Sequence, residues 1–259
     1  MDVADGLAPR VAVHLLGGFA VHLLPPPDHA HPALPLDVPI RGGGQRLLAF
    51  LGLHRRAVRR ARVAAELWPE ATGAQASANL RTTLRRLPRP EGVALVAADT
   101  TTVGLPAGAD VDFWRARASM EDLARGGADG WARAGADDVA LLAEDLLPDR
   151  DEEWLLAEQE HHRQRRLHAL ERIAGALLRA RRTEDALAAA LLAVAGDPLR
   201  ESAQRRLIQV HLDQGNVAEA LRQFHVYRTL LRRQLGLTPS PAIRELVAGL
   251  LGRPADRTA

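Results

Sequence analysis

Gly73-Ala74-Gln75-Ala76-Ser77-Ala78-Asn79-Leu80-Arg81-Thr82-Thr83-Leu84-Arg85-Arg86-Leu87-Pro88-Arg89-Pro90 is the stretch on which the reading of this chain turns. Leu80, Leu84 and Leu87 recur at helical spacing, so on a helix they form one apolar stripe that must be buried. The opposite face then carries Thr82 and Arg85, flanked by Arg81, Arg86 and Gln75, with Asn79 at its edge. These side chains suit the edges of base pairs. Arginine bonds guanine bidentately, and threonine and asparagine offer short hydrogen-bonding groups. Pro88 and Pro90 stop the helix soon after Leu87, leaving a short, stiff element of a length that fits a major groove. Any half-exposed, arginine-rich surface helix has the same pattern, so the surrounding chain has to decide between the two readings.

Upstream, Val11 to Leu16 and Phe19 to Leu24 read as strands joined by the two-residue turn Gly17-Gly18. The proline-rich stretch from Pro25 to Pro32 cannot hold a ladder, and Leu34 to Ile40 is expected to return as a third strand at a sheet edge. His29 and His31 lie in that loop with no third ligand nearby, so no metal site is expected there. Gly42-Gly43-Gly44-Gln45 precedes an apolar helix running to about His54. The Lys-Ser/Thr pair of a phosphate-binding loop is missing. A basic turn from Arg55 to Arg62 leads into a second helix, Val63 to Trp68, with Arg59 where a capping residue would be expected. After the arginine-rich helix, Val93 to Val96 and Thr101 to Leu105 read as strands around a turn near Ala98-Asp99-Thr100. Three helices with a basic third, followed at once by a hairpin, are the layout of a winged helix-turn-helix.

The 259 residues suffice for two domains of ordinary size. Cysteine is absent, which removes disulfides, thiolate nucleophiles and sulfur-ligated zinc and is compatible with a reducing cytoplasm. Met1 to Arg10 is acidic and lacks the basic start of a secretory signal, and the run from Val11 to Leu24 is too short to span a bilayer. A soluble, cytoplasmic chain with no membrane partner is expected. The formal charge of +2 conceals a segregation: Arg41 to Arg89 holds eleven arginines against two glutamates, while Asp110 to Gln159 holds fourteen carboxylates against five arginines. A basic block beside an acidic one argues for two domains with different partners, the basic one suited to a polyanion.

Pro106 to Asp110 reads as the linker, giving domains 1–106 and 107–259. Beyond it the chain reads as helices: Phe113 to Leu123, Asp138 to Leu147, Trp154 to Arg181, Glu184 to Ala195, Glu201 to Asp213, Val217 to Gln234 and Ala242 to Leu251. Aligning Ala186 with Ala220 gives the 34-residue period of a tetratricopeptide helix pair. Leu207, Gly215, Ala220 and Phe224 represent one copy, and Ala174, Ala186, Ala193 and Pro198 the other. No catalytic set emerges. Consecutive His161 and His162 diverge on a helix, the carboxylates from Asp149 to Glu153 read as a solvated turn, and there is no nucleophile elbow. The expected fold is mainly α with a small β component, a winged helix-turn-helix followed by an all-α tetratricopeptide-like domain, with no enzymatic activity, cofactor or metal.

The run Glu66-Leu67-Trp68-Pro69-Glu70, then Ala78-Asn79-Leu80-Arg81-Thr82-Thr83-Leu84-Arg85-Arg86-Leu87, then Val111-Asp112-Phe113, resembles the Streptomyces antibiotic regulatory protein family. The resemblance implies a response-regulator-type winged helix followed by a bacterial transcriptional activation domain, over about Val11 to Leu251. It implies a regulator of antibiotic or other secondary-metabolite genes that binds direct repeats in promoter DNA as side-by-side protomers. It also implies that the loop Pro69, Glu70, Ala71 and Thr72 faces RNA polymerase, often its sigma subunit. On this reading Arg81, Thr82, Arg85 and Arg86, with Asn79, enter the major groove of double-stranded promoter DNA, and Arg41, Arg46, Arg59 and Arg60 neutralise phosphates. The wing turn Ala97-Ala98-Asp99-Thr100 departs from the family pattern in carrying no arginine or lysine. The alternative expectation is a tetratricopeptide scaffold whose basic N-terminal domain binds an acidic protein.

Overall fold

The computed structural model describes residues 9–26 and 34–250; the His29 and His31 pair and Leu251 fall outside the described residues. The chain packs into two compact units. The first runs through Arg115 and takes in Leu146–Gln159; the second comprises Ala116–Asp145 and the chain from Glu160 on. The first unit therefore extends past the Pro106–Asp110 linker and recovers a segment from further along the sequence.

In the first unit, β1 (Arg10–His14) pairs antiparallel with β2 (Ala20–Leu24), which pairs with the short β3 (Leu36–Asp37). Val11, Val13, Val21 and Leu23 supply the buried face, as strand alternation requires. The pairing closes at His14 with Ala20, so the connection is five residues long rather than the expected two. The cause is competition for the backbone of Leu15 and Leu16, whose N–H groups donate to the carboxylate of Asp112 at 2.9 and 3.2 Å. The carbonyl of Leu15 accepts from Leu147 N at 2.8 Å, so this stretch belongs to partners distant in sequence.

Next come α1 (Gly43–Gly52), β4 (Val58–Arg59), α2 (Arg60–Leu67) and α3 (Gly73–Arg86). They precede β5 (Ala97–Ala98), β6 (Thr102–Gly104) and β7 (Asp110–Val111). The wing is a three-stranded antiparallel sheet in the order β4-β6-β5. Its hairpin lies later than Val93–Val96, and it recruits two residues of the expected basic turn as its edge. The segment expected as a linker contains β7, which lies parallel to β1 and completes a four-stranded sheet. Both additions are two-residue strands, too short to leave a periodic signal. Leu47, Phe50, Leu51, Val63, Leu67 and Leu80 form the core of the three helices.

The helices that follow are α4 (Asp112–Arg125), α5 (Gly127–Ala132), α6 (Ala136–Leu141), α7 (Glu153–Arg179), α8 (Thr183–Gly196), α9 (Glu201–Asp213), α10 (Val217–Leu235) and α11 (Pro241–Ala248). The helix expected over Asp138–Leu147 ends at Leu141, because Leu146 and Leu147 bond the Leu15–Leu16 backbone of the first unit instead. In the second unit α8 and α10 start 34 residues apart, and the small residues of the repeat, Ala174, Ala186, Ala193 and Ala220, are fully buried. Phe224 packs with Ile208, Tyr227 and Ile243, filling the space between helix pairs. Among the described residues no helix is long and apolar enough to cross a membrane.

Asp112 is 6 % exposed, and its carboxylate also accepts from Phe113 N at 2.7 Å. Asp112→Ala leaves these backbone donors without their acceptor and should destabilise the chain by about 2–3 kcal/mol, read by urea denaturation with tryptophan fluorescence; an unchanged midpoint would refute this role. His14 Nδ1 lies 3.5 Å from the same carboxylate, and the hydrogen bond with Asp112 is the main cause raising its pKa above the ordinary 6.5. A raised histidine stabilises the fold in its protonated form. That contribution is complete below pH 6.5 and fades as pH climbs through the raised value. His14→Gln should flatten the decline in stability from pH 6.5 upward, measured as urea midpoints along a pH series.

Candidate nucleic-acid interface

The third helix of the winged unit is built to start abruptly. Thr72 Oγ1 accepts from Gln75 N at 3.4 Å, while Gln75 Oε1 accepts from Thr72 N at 3.3 Å, a reciprocal capping box. The sequence signal is Thr72-Gly73-Ala74-Gln75, and Gln75, expected on the groove-facing side, serves the cap. Ala76 and Leu80 are buried, and Leu84 and Leu87 only half so; the apolar stripe thus starts one turn earlier than the leucines indicate. The other face leaves Asn79, Arg81, Thr82, Arg85 and Arg86 exposed side by side.

The glycine run before α1 places that helix against α3. Gly42 has φ +52°, a conformation side chains resist, and a Cβ on Gly44 would stand 3.0 Å from Ile40 and 3.1 Å from Leu87. The run thus serves backbone turning and close helix approach. The start of α1 and the C-terminal half of α3 then bound a groove of about 500 Å³ that gathers Arg41, Thr82, Thr83 and Arg86.

The four arginines expected at phosphates separate into two pairs. Arg41 and Arg59 are exposed. Arg46 lies 3.4 Å from Glu152, in a pair shared with Arg150, and Arg60 donates from Nη1 to the carbonyl of Asp99 at 2.9 Å, holding the wing turn. Arg56, Arg59 and Arg62 line a further groove of about 730 Å³ beside the Arg55 guanidinium, which stacks 4.7 Å from the Trp114 ring centroid. These neighbours of the expected set were visible only as a basic turn. In the loop Pro69–Thr72, Pro69 and Glu70 are exposed, whereas Ala71 packs on the helix core and Thr72 is the helix cap.

The wing tip carries a fixed negative charge. The Asp99 carboxylate accepts from Thr101 N, Thr101 Oγ1, Thr102 N and Thr102 Oγ1 at 2.6–2.9 Å, and these bonds hold its pKa far below the usual carboxylate range. A carboxylate held ionised at the tip disfavours a phosphate beside it. The exposed arginines of α3, with Arg41 and with Arg56, Arg59 and Arg62, lie away from this fixed negative charge in the sequence.

A three-helix unit with a capped, arginine-faced third helix and an attached three-stranded wing is a winged helix-turn-helix, and a tandem helix-pair unit follows it. This defines the class as a two-part transcriptional regulator. The family model described as "Bacterial transcriptional activator domain" matches residues 109–251, and the chain belongs to that family as a regulator of the Streptomyces antibiotic regulatory protein type. Among solved structures, the chain is similar to that described as Mycobacterium tuberculosis EmbR in complex with low affinity phosphopeptide. The TM-score is 0.68 and the identity 21 %, over 96 % of this chain and 67 % of that one. Curated protein sequences returned no match.

Thr72→Ala removes the capping hydroxyl and should cost about 1 kcal/mol of stability, read as a lowered denaturant midpoint, with Thr72→Ser retaining most of it.

Proposed function

We propose that this regulator is a sequence-specific DNA-binding transcriptional activator that reads promoter DNA with α3 and recruits RNA polymerase. One observation carries the reading: Asn79, Arg81, Thr82, Arg85 and Arg86 share the exposed face of a capped helix whose opposite face is buried. Arg81 and Arg85, four residues apart, present guanidinium forks suited to guanine, and Thr82 and Asn79 offer shorter contacts. Arg86 and Arg41, on the two sides of the α1–α3 groove, meet phosphates there, and Arg59 meets them beyond α2. Arg46 and Arg60 act on the protein side, Arg46 paired with Glu152 and Arg60 steadying the wing. Pro69 and Glu70 form the exposed part of the loop assigned to polymerase, with the sigma subunit as its partner.

By kinship, its targets are the genes of an antibiotic or other secondary-metabolite pathway, and it binds direct repeats as side-by-side protomers in the cytoplasm. The winged domain supplies DNA recognition and the helical domain activation, as the sequence boundary near residue 106 divides them.

The test is fluorescence anisotropy of labelled promoter DNA from neighbouring genes, titrated at several salt concentrations against an unrelated duplex. Discrimination between the duplexes, weakening linearly in log salt, is the expected result. Arg85→Ala should cost about 1–3 kcal/mol on the preferred site and relax base choice at one position. Arg41→Ala should weaken both duplexes alike and lower the salt slope by about one. Equal binding to both duplexes, or an Arg85→Ala variant that keeps full specificity, would sink the assignment of α3 and favour a scaffold that binds an acidic protein.

A further inference from the structure

On α7, Arg172 and Arg179 stand seven residues apart, so two helical turns return them to one face, about 10 Å from each other along the axis. On α9, Arg205 and Arg206 are adjacent. Within the second unit these two helices lie side by side. The Glu171 carboxylate of α7 accepts from Arg200 Nε at the entry to α9 and from Ser202 Oγ at 2.9 Å. Gly175 of α7 leaves room for the Arg206 guanidinium, since a Cβ there would stand 2.9 Å from its Cζ. Arg206 is therefore half-buried against α7, and Arg172, Arg179 and Arg205 are exposed around it.

Neutralising a helix end accounts for one member of this group. The C-terminal dipole of α7 favours Arg179 in its last turn, whereas Arg172 lies two turns earlier and Arg205 and Arg206 fall in the first half of α9. Internal pairing does not account for the rest. Glu171, the nearby carboxylate, is already shared by Arg200 and Ser202, and among the described residues Arg172, Arg179 and Arg205 make no ion pair. Arg206 Nη1 donates to Gln209 Oε1 at 2.8 Å, and its Nε is buried with no hydrogen-bond partner among the described residues. Burial, together with the guanidiniums of Arg179, Arg205 and Arg172, lowers the pKa of Arg206 below the ordinary arginine value, with Glu171 acting the other way.

We propose that this strip of α7 and α9 docks an acidic segment of a partner polypeptide, two of whose carboxylates, three residues apart on an extended chain, meet Arg172 and Arg179 while a third meets Arg205 and the recessed Arg206. An extended chain advances about 3.3 Å per residue, so a three-residue step matches the two turns between Arg172 and Arg179. Arginine forks take carboxylates bidentately. The recessed place of Arg206 favours a polypeptide over a nucleic-acid duplex: a carboxylate on a side chain reaches between two helices, whereas the phosphates of a duplex meet cations that stand out from the protein. Salt screens these charges beyond about 8 Å, so recognition acts at contact range.

Fluorescence anisotropy of a labelled peptide of four Glu-Gly-Ser repeats, titrated with the full chain at about 150 mM salt, tests the surface. The expected result is saturable binding of one peptide per chain, with no binding of the same repeat carrying Gln in place of Glu. Arg172→Gln/Arg179→Gln should weaken binding by about fivefold or more, and Arg205→Gln, on the other helix, should weaken it as well. Arg81→Ala/Arg85→Ala, which removes equal charge from the winged unit, should leave it unchanged. The substituted side chains are all exposed, and circular dichroism and melting check that the variants fold. Absence of saturable binding, equal binding of the Gln peptide, or loss that follows the winged-unit variant would each overturn the proposal. So would a fall in duplex affinity in Arg172→Gln/Arg179→Gln as large as the fall in peptide affinity, which would make the strip a nucleic-acid surface. Self-association that this variant abolishes, with no peptide binding, would assign the strip to a second copy of the chain and overturn it too. Because the DNA titration reads a different set of arginines, failure here leaves the function proposed above standing, and the reverse also holds.

Discussion

The buried carboxylate of Asp112 governs how the first unit closes. A strand that ends inside a protein leaves backbone donors that must find acceptors, and β1 ends with Leu15 and Leu16 both bonded to Asp112. The same carboxylate accepts from Phe113 N at the start of α4, so one side chain satisfies a strand end and opens a helix. Two residues further on, Trp114 Nε1 donates to the carbonyl of Gly52 at 2.8 Å and fixes the C-terminus of α1. The N-terminus of α1 in turn meets α3 across Gly43 and Gly44. The orientation of the arginine-faced helix thus traces back, through two helix ends, to a carboxylate far from it in sequence.

This chain of constraints explains why the glycine run belongs where it is. A phosphate-binding loop needs a lysine and a hydroxyl to finish it; a helix contact needs only the absence of a Cβ. At Gly43 a Cβ would stand 3.3 Å from Thr83 Oγ1, and at Gly44 it would crowd Ile40 and Leu87. The glycines set how closely α1 can lie beside α3, and so whether Arg41 and Arg86 share one groove.

What the sequence disclosed follows from the range of the forces involved. Helix α9 runs over Glu201–Asp213 as its pattern requires, since Pro198 and Gly215 punctuate it locally. The 34-residue period was legible because packing demands small residues at the same helical positions in each pair. The strands β4 and β7 and the helix α5 were not. Two residues carry no alternation, and Gly127-Ala128-Asp129-Gly130-Trp131-Ala132 has the composition of a loop. On α3 the exposed face could be drawn from the leucine spacing alone, because burial on one side fixes exposure on the other. Arg41, Arg46, Arg59 and Arg60 were indistinguishable by type and neighbourhood. Only their distant partners, Glu152 for Arg46 and the Asp99 carbonyl for Arg60, separate them.

The segregation of charge along the sequence acquires a different meaning once partners are known. Within the acidic stretch from Asp110 to Gln159, Asp112 and Asp138 bond backbone N–H groups, Glu152 faces Arg46 and Arg150, and Asp145 holds the buried Arg166 guanidinium. These carboxylates are committed inside their own units, and Arg165 with Glu121 is a surface pair that contributes little. The basic stretch is not drawn down to the same degree. Arg41, Arg59, Arg81, Arg85 and Arg86 remain exposed. A chain of formal charge +2 thereby presents a concentrated positive surface on the winged unit, where arginines outnumber carboxylates over Arg41 to Arg89, and this keeps long-range attraction to polyanions local to that unit.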